Sequence, residues 1–243
     1  MIEELNRIIN ESDNIVFFGG AGVSTESGIP DFRSQDGLYH MKYDYPPELI
    51  LSDSFFFNNY KEFYRFYFDK MIYENIEPNY THIFLKELED IGKLKAIVTQ
   101  NIDNLHERAG SKNIYHVHGT INTNHCVECN KEYSLDELLK IKENPICTCG
   151  GKIKPDVVLY GEMLPEDAFS KGIEAIEQAD TLIVGGTSLT VYPAAGMINA
   201  FHGKNLIIIN KDHIDVSCTL QINDKLGDTF KKINLRRETW ILN

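Results

Sequence analysis

Short apolar runs and amphipathic stretches alternate along this chain. Residues 1–12 place Ile2, Leu5, Ile8 and Ile9 on one helical face. The run 14–18 that follows is apolar, aromatic and β-branched, and it stops at Gly19, as a buried strand does. Runs of the same kind recur at 94–98, 114–117, 156–160, 181–184 and 206–209. Helical patterns separate several of them, at 82–90, 165–178 and 194–201. Strands alternating with helices predict a parallel sheet covered by helices, an α/β fold. Each run gives way at once to small or polar residues. In a parallel sheet the carboxyl ends share one edge, and ligands bind there. Gly, Ser, Thr, Asn, Gln and His are therefore expected along one crevice.

Two segments break the alternation. Residues 34–79 are aromatic-rich and read as helices and loops, their aromatic stripe as core and not as a binding surface. Residues 122–151 carry a cysteine cluster. Both look inserted into the sheet domain. The expected division is 1–33, 80–121 and 152–243 for the sheet domain, with 34–79 and 122–151 as a smaller helical and metal-binding domain. At 243 residues the chain has room for both.

Composition narrows the function. Basic residues number 24 against 36 acidic, a net charge of −12. A phosphate backbone would be repelled by most of this surface, so no nucleic-acid partner is expected, whereas lysine-rich proteins would be attracted. The same charge also serves plain solubility. No apolar run is long enough to span a bilayer, and residues 1–10 lack the apolar core of a secretion signal. No membrane partner and a cytoplasmic location are expected.

Several strand-end segments carry chemistry. Gly19-Gly-Ala-Gly-Val-Ser-Thr25 lets the backbone approach a pyrophosphate, with the N-terminus of a following helix favouring its charge. Thr25 stands where a third glycine would complete the dinucleotide fingerprint, so a plain tight turn fits equally well. In Gly28-Ile-Pro-Asp-Phe-Arg33, Phe32 is suited to stacking on a flat ring and Arg33 to gripping a phosphate; a surface loop with an ion pair is the simpler alternative. Thr99-Gln-Asn-Ile-Asp103 presents two amides and a carboxylate. Asp103 can accept a hydrogen bond from a carboxamide and Asn101 can position a ribose or water, or the segment simply caps the next helix. In Tyr115-His-Val-His-Gly119 the two histidines share a strand face, and His118 is better placed as a general base; a structural histidine is the simpler alternative, and the pair could bind a metal, though no third ligand stands nearby. Gly186-Thr-Ser-Leu189 and Asn210 offer hydroxyls and an amide for phosphate and ribose.

Cys126-x-x-Cys129, seventeen residues, then Cys147-x-Cys149 resembles a four-thiolate zinc ribbon. With four thiolates no coordination position remains open, so the zinc is read as structural. Cys218 stands apart, and the odd count argues against a disulfide framework.

Taken in order, these segments resemble the sirtuin family of NAD-dependent protein deacylases, its bacterial members most closely. The matching pieces are Gly20-Ala-Gly-Val-Ser24, Gly28-Ile-Pro-Asp-Phe-Arg33, Thr99-Gln-Asn-Ile-Asp103, His118-Gly119, the four cysteines, Val158-Leu-Tyr-Gly-Glu162, Gly186-Thr-Ser-Leu189 and Asn210. The resemblance implies a Rossmann-like parallel sheet domain with a smaller inserted zinc-ribbon and helical domain, and NAD bound between them as a consumed co-substrate. It implies that Ala21, Thr25, Phe32 and Arg33 line the loop over NAD. Gln100, Asn101, Ile102 and Asp103 would hold the nicotinamide ribose and carboxamide. Thr187, Ser188 and Asn210, with Lys225 as a neighbour, would take the adenosine half. The implied catalytic pair is His118 and Asn101, and Cys126, Cys129, Cys147 and Cys149 would bind zinc.

In the implied reaction the acyl-lysine oxygen attacks the ribose carbon as nicotinamide leaves. His118 deprotonates a ribose hydroxyl, which takes the acyl group. Nicotinamide, lysine and O-acyl-ADP-ribose result. The acyl-lysine protein would add as an extended strand beside Val158–Gly161 and the segment after Thr187. Gly19 departs from the family's usual threonine, with packing the expected consequence. Tyr67 stands where members acting on acidic acyl groups place an arginine three residues after a tyrosine, here Tyr64, so acetyl or a longer apolar acyl is the expected cargo. ADP-ribosyl transfer and an NAD-sensing module would use the same pocket; retention of both Asn101 and His118 favours deacylation.

Overall fold

The computed structural model describes residues 1–32, 37, 43–73 and 75–236. Arg33, expected at the cofactor loop, lies outside the described residues.

Six strands form a parallel sheet in the order β3-β2-β1-β7-β8-β9. They are β1 (Ile15–Gly19), β2 (Leu94–Thr99), β3 (Ile114–His116), β7 (Thr181–Gly185), β8 (Asn205–Ile209) and β9 (Leu220–Ile222). β1 pairs in parallel with both β2 and β7, and all five β1 residues are buried. A strand covered on both faces cannot alternate polar with apolar, which is why Ile-Val-Phe-Phe runs uninterrupted.

The two faces build separate cores. Ile15 and Phe17 of β1, with Ile97, Ile183 and Ile207, face α1 (Ile2–Glu11), α5 (Tyr80–Asp90) and α9 (Leu226–Phe230). Val16 and Phe18, with Val98, Leu182 and Ile208, face α8 (Glu166–Gln178) and a 3-10 segment at 194–200. The apolar stripe on α1 is the predicted one: Leu5, Ile8 and Ile9 are buried.

From β1 the chain order runs outward through β2 to β3 on one side. From β7 it runs through β8 to β9 on the other. The order therefore reverses between β1 and β7, and a crevice opens at the carboxyl ends there.

The smaller module joins α2 (Pro47–Ile50), α3 (Asp53–Asn58), α4 (Tyr60–Lys70) and α7 (Leu135–Lys140) to a three-stranded antiparallel sheet. Its strands, in the order β5-β4-β6, are β4 (Gly119–Cys126), β5 (Glu132–Ser134) and β6 (Ile153–Val157). Phe55, Phe56, Phe63, Tyr64 and Tyr67 pack against Ile121, Ile153 and Val157 in a third core. The aromatic stripe is thus core, as expected. The run 156–160, grouped above with the parallel strands, is different: Asp156 and Val157 belong to β6, paired antiparallel with β4. The alternating burial of Ile153, Pro155 and Val157 marks a strand covered on one face only.

Candidate active site

The crevice at the switch point is a cavity of about 490 Å³, within the range of pockets that hold a small-molecule ligand. Ala21, Thr25 and Phe32 line it at the end of β1. Gln100, Asn101, Ile102 and Asp103 line it after β2, and His118 after β3. Thr187, Ser188, Asn210 and Lys225 close its other half. Every predicted cofactor or catalytic residue among the described residues therefore borders one cavity.

The loop after β1 departs from expectation. No α-helix opens there; two single 3-10 turns, Ala21–Val23 and Thr25–Ser27, take its place. The glycines serve close packing of backbone on backbone. Gly22 donates to the Gly186 carbonyl at 2.8 Å, and a Cβ on Gly22 would lie 2.7 Å from Gly186 Cα. The ends of β1 and β7 are drawn together by these contacts, which no larger residue permits. Gly19 is also a packing position, since a Cβ there would meet the Phe17 ring at 2.7 Å.

The segment after β2 is a chain of polar contacts. Asn101 is buried, and its Nδ2 donates to Ser24 Oγ at 3.0 Å. Ser24 Oγ donates in turn to Asp103 Oδ2 at 2.7 Å, and Asp103 Oδ1 accepts from Leu105 N at 3.1 Å. Burial pushes the Asp103 carboxyl above its usual pKa, with the Ser24 hydroxyl pulling the other way. Asp103 is not the N-cap of α6 (Leu105–Arg108), which is Asn104 and makes no side-chain cap bond; one Asp103 oxygen holds the first N–H of that helix, and the residue also lines the cavity. Gln100 Nε2 reaches across to Thr187 Oγ1 at 3.1 Å and so ties the two halves of the crevice.

His118 Nδ1 lies 3.0 Å from the carbonyl oxygen of Gln100. A carbonyl only accepts, so Nδ1 carries the hydrogen and Nε2 keeps its lone pair. Burial lowers the pKa of His118 below the ordinary histidine value, against a smaller opposing effect of the Gln100 carbonyl. The side chain is thereby held as a neutral base. Gly119 directs it: its φ is +76°, and a Cβ there would fall 1.9 Å from the Asp156 carbonyl oxygen.

Ser24 was legible only as the last residue of its motif, with no role. Its hydroxyl proves to be the link between Asn101 and Asp103. Its place directly after the glycine-rich turn is the only sequence signal it carries. Glu107, bound to His116 at 2.7 Å, had no sequence signal at all.

The four cysteines converge. Their sulfurs lie within 4.8 Å of one another, with Cys126–Cys149 at 3.4 Å and Cys129–Cys147 at 3.6 Å. Four thiolates around one zinc stand about 3.8 Å apart, given Zn–S bonds of about 2.3 Å. Backbone N–H groups of Lys131, Cys149 and Gly151 point at Cys129, Cys147 and Cys149, and Tyr133 Oη donates to Cys147 Sγ at 3.1 Å. Such donors stabilise thiolate charge and suit a metal. Gly151 is required by the same crowding, because a Cβ there would lie 2.7 Å from Cys126 Sγ. The donor set fits a structural zinc, and the C-x-C spacing is accommodated by the Cys147–Gly150 turn.

A parallel sheet with a polar crevice at its switch point, joined to a four-thiolate module, defines a dinucleotide-binding α/β protein with a metal-binding insertion. A Sir2 family profile matches residues 20–193. An NAD-dependent protein deacetylase of Clostridium acetobutylicum is 52% identical over 238 residues, covering 96% of this chain and 97% of the relative. One of Clostridium perfringens is 54% identical, covering 96% and 98%. Among solved structures, a Sir2 complex with a p53 peptide and NAD+ superposes with a TM-score of 0.85 at 36% identity, covering 96% of both chains. A Sir2 histidine-to-alanine variant with deacetylated p53 peptide and 3'-O-acetyl ADP-ribose gives a TM-score of 0.88, covering 95% and 96%. The chain belongs to the Sir2 family, the sirtuins.

Proposed function

We propose that this protein removes acetyl groups from lysine side chains of other proteins. One NAD and one water are consumed per turnover, and nicotinamide, free lysine and O-acetyl-ADP-ribose are released. The observation that carries this reading is the pairing of a base with its polar support. His118 presents Nε2 as a base beside the Asn101–Ser24–Asp103 chain, all in one crevice. The names of the relatives, and the acetyl-ADP-ribose and peptide ligands of the Sir2 structures, support the same chemistry.

The residue roles follow. His118 takes a proton at Nε2 from a ribose hydroxyl of NAD, freeing that oxygen to accept the acyl group. Asn101 positions the ribose, and Asp103 accepts from the nicotinamide carboxamide. Ala21, Thr25 and Phe32 cover the cofactor. Gln100 and Ile102 flank its ribose, and Thr187, Ser188, Asn210 and Lys225 hold the adenosine half. The cysteines hold a zinc that steadies the small module.

The substrate adds as a strand against 158–161. One edge of that segment is already used: Tyr160 N donates to the Leu51 carbonyl and Asp53 N to the Tyr160 carbonyl. An incoming chain takes the opposite edge, displacing the contacts that Leu159 N and O now make with Glu162, and backbone pairing tolerates many sequences. Tyr64 Oη is committed to the Ile153 carbonyl at 2.8 Å, and Tyr67 is fully buried. Neither lines the cavity, so the tyrosine–arginine pair expected for an acidic acyl group has no counterpart at these positions, although Lys70 borders the cavity. Among the described residues no helix is long and apolar enough to cross a membrane. We place the protein in the cytoplasm, whose reducing conditions suit five cysteines without a disulfide.

The test is the His118→Ala protein. It should still bind NAD by calorimetry while its deacetylation of an acetyl-lysine peptide falls at least a hundredfold, the low end of general-base contributions of about 10²–10⁴. Retention of most activity would overturn the assignment of the base.

A further inference from the structure

Two residues before the base, His116 has no part in the chemistry above, yet its ring is held at both nitrogens. Nε2 lies 2.7 Å from Glu107 Oε1, and Nδ1 lies 3.3 Å from the carbonyl oxygen of Asn101. A carbonyl oxygen and an ionised carboxylate both only accept hydrogen bonds. Both ring nitrogens of His116 must then carry hydrogen, which makes it an imidazolium.

The surroundings agree. Burial opposes charge on His116, but the hydrogen bond and charge of Glu107 outweigh it, with the Asn101 carbonyl and Asp103 adding to the effect. The outcome is a pKa above the ordinary histidine value. The other histidines packed behind the site supply no rival cation. His82 and His106 meet edge to face at 4.8 Å. Burial lowers His82 to about 4 and His106 well below the usual range. Glu107 Oε2 is buried with no hydrogen-bond partner among the described residues, so the carboxylate depends on His116 as His116 depends on it.

The two histidines hold consecutive carbonyls. His118 takes that of Gln100 and His116 that of Asn101. We propose that His116 is a positioning residue: as an imidazolium clamped between Glu107 and the Asn101 carbonyl, it fixes the backbone that presents the Asn101 amide to substrate and the Gln100 carbonyl to His118. Its effect on turnover rests on the deacetylase reading. Its charge state does not.

Nitrogen-15 NMR of the whole zinc-loaded protein, with labelled histidine, reads the charge directly, His116 being assigned by its loss in His116→Gln. The shifts of both ring nitrogens should be those of an imidazolium at pH 7 and stay so above the range where an ordinary histidine titrates. In Glu107→Gln the transition should move to lower pH. The charge is present below the His116 pKa and lost as pH rises through it, so the alkaline limb of deacetylation should move the same way. In both Glu107→Gln and His116→Ala, kcat should fall about tenfold to a hundredfold with peptide KM little changed, as for a small misplacement of reacting groups. Melting temperature and zinc content identify variants that merely unfold. A neutral His116 at pH 7 would overturn the clamp. Unchanged kcat per folded molecule in both variants would overturn the positioning role. A wild-type protein without turnover would instead sink the deacetylase reading, while the nitrogen shifts still decide the clamp.

Discussion

His118 and Gln100 meet through a ring nitrogen and a backbone carbonyl, 3.0 Å apart. The contact fixes the tautomer, leaving Nε2 as the free base, and burial keeps that base neutral. Catalysis by a base is lost as pH falls through its pKa. Because the pKa of His118 is depressed, the acid limb of kcat/KM should lie below the ordinary histidine value of about 6.5. A pH profile measured with an acetyl-lysine peptide checks this. A limb well above that value, absent from the His118→Ala background, would show that His118 is not the depressed group described.

Ser24 joins Asn101 to Asp103 through one hydroxyl. In Ser24→Ala, the Asn101 amide loses its acceptor and the Asp103 carboxylate a donor that opposes its desolvation. Leaving such groups unpaired costs about 1–3 kcal/mol each. The expected outcome is a lower melting temperature and at least a tenfold loss of kcat/KM for NAD. Chemical denaturation and initial rates measure the two separately. Unchanged rates would mean that the relay does not reach the chemistry.

Gly119 occupies a backbone conformation that disfavours side chains, and the Asp156 carbonyl stands where its Cβ would go. Gly119→Ala must push β4 away from β6 and shift His118. Most activity should disappear even though His118 remains, and stability should drop by more than the ~1 kcal/mol of a simple glycine effect. Near-normal activity in a stable Gly119→Ala protein would contradict the packing described.

The cysteine module predicts one zinc per chain. Cys147→Ser removes a ligand that already draws on the Cys149 N–H and the Tyr133 hydroxyl. Zinc content should fall towards zero and the small module should lose its fold, since metal binding and folding are coupled in such sites. Elemental analysis and thermal melting report both. Full activity of a zinc-free, stable protein would show that the metal is dispensable.

The strand ends and the cavity they line were readable from Gly20–Ser24, Thr99–Asp103, His118 and Thr187–Ser188, because a buried parallel strand leaves an unbroken apolar run and its carboxyl end must turn polar. The third core was readable from its aromatic spacing. β9 has no sequence signature: its three residues, Leu220–Ile222, with Gln221 between the two apolar ones, form no apolar run. β6 was assigned to the wrong sheet because Val157 and Val158 continue into Leu159 as though fully buried. Only the pairing of Gly119 with Val157 and of Cys126 with Ile153 reveals its place. The glycine-rich turn suggested a helix, but its glycines serve contact with Gly186, a relation between distant segments. The His116–Glu107 clamp was invisible for the same reason, since it exists only once α6 folds back against β3.

The most direct test of the deacetylase reading combines the purified protein, NAD and an acetyl-lysine peptide, and quantifies every product by mass spectrometry. The account predicts loss of the acetyl group in equal amount with nicotinamide and O-acetyl-ADP-ribose. Nicotinamide released while the peptide keeps its acetyl group would contradict it and point to ADP-ribosyl transfer or NAD hydrolysis.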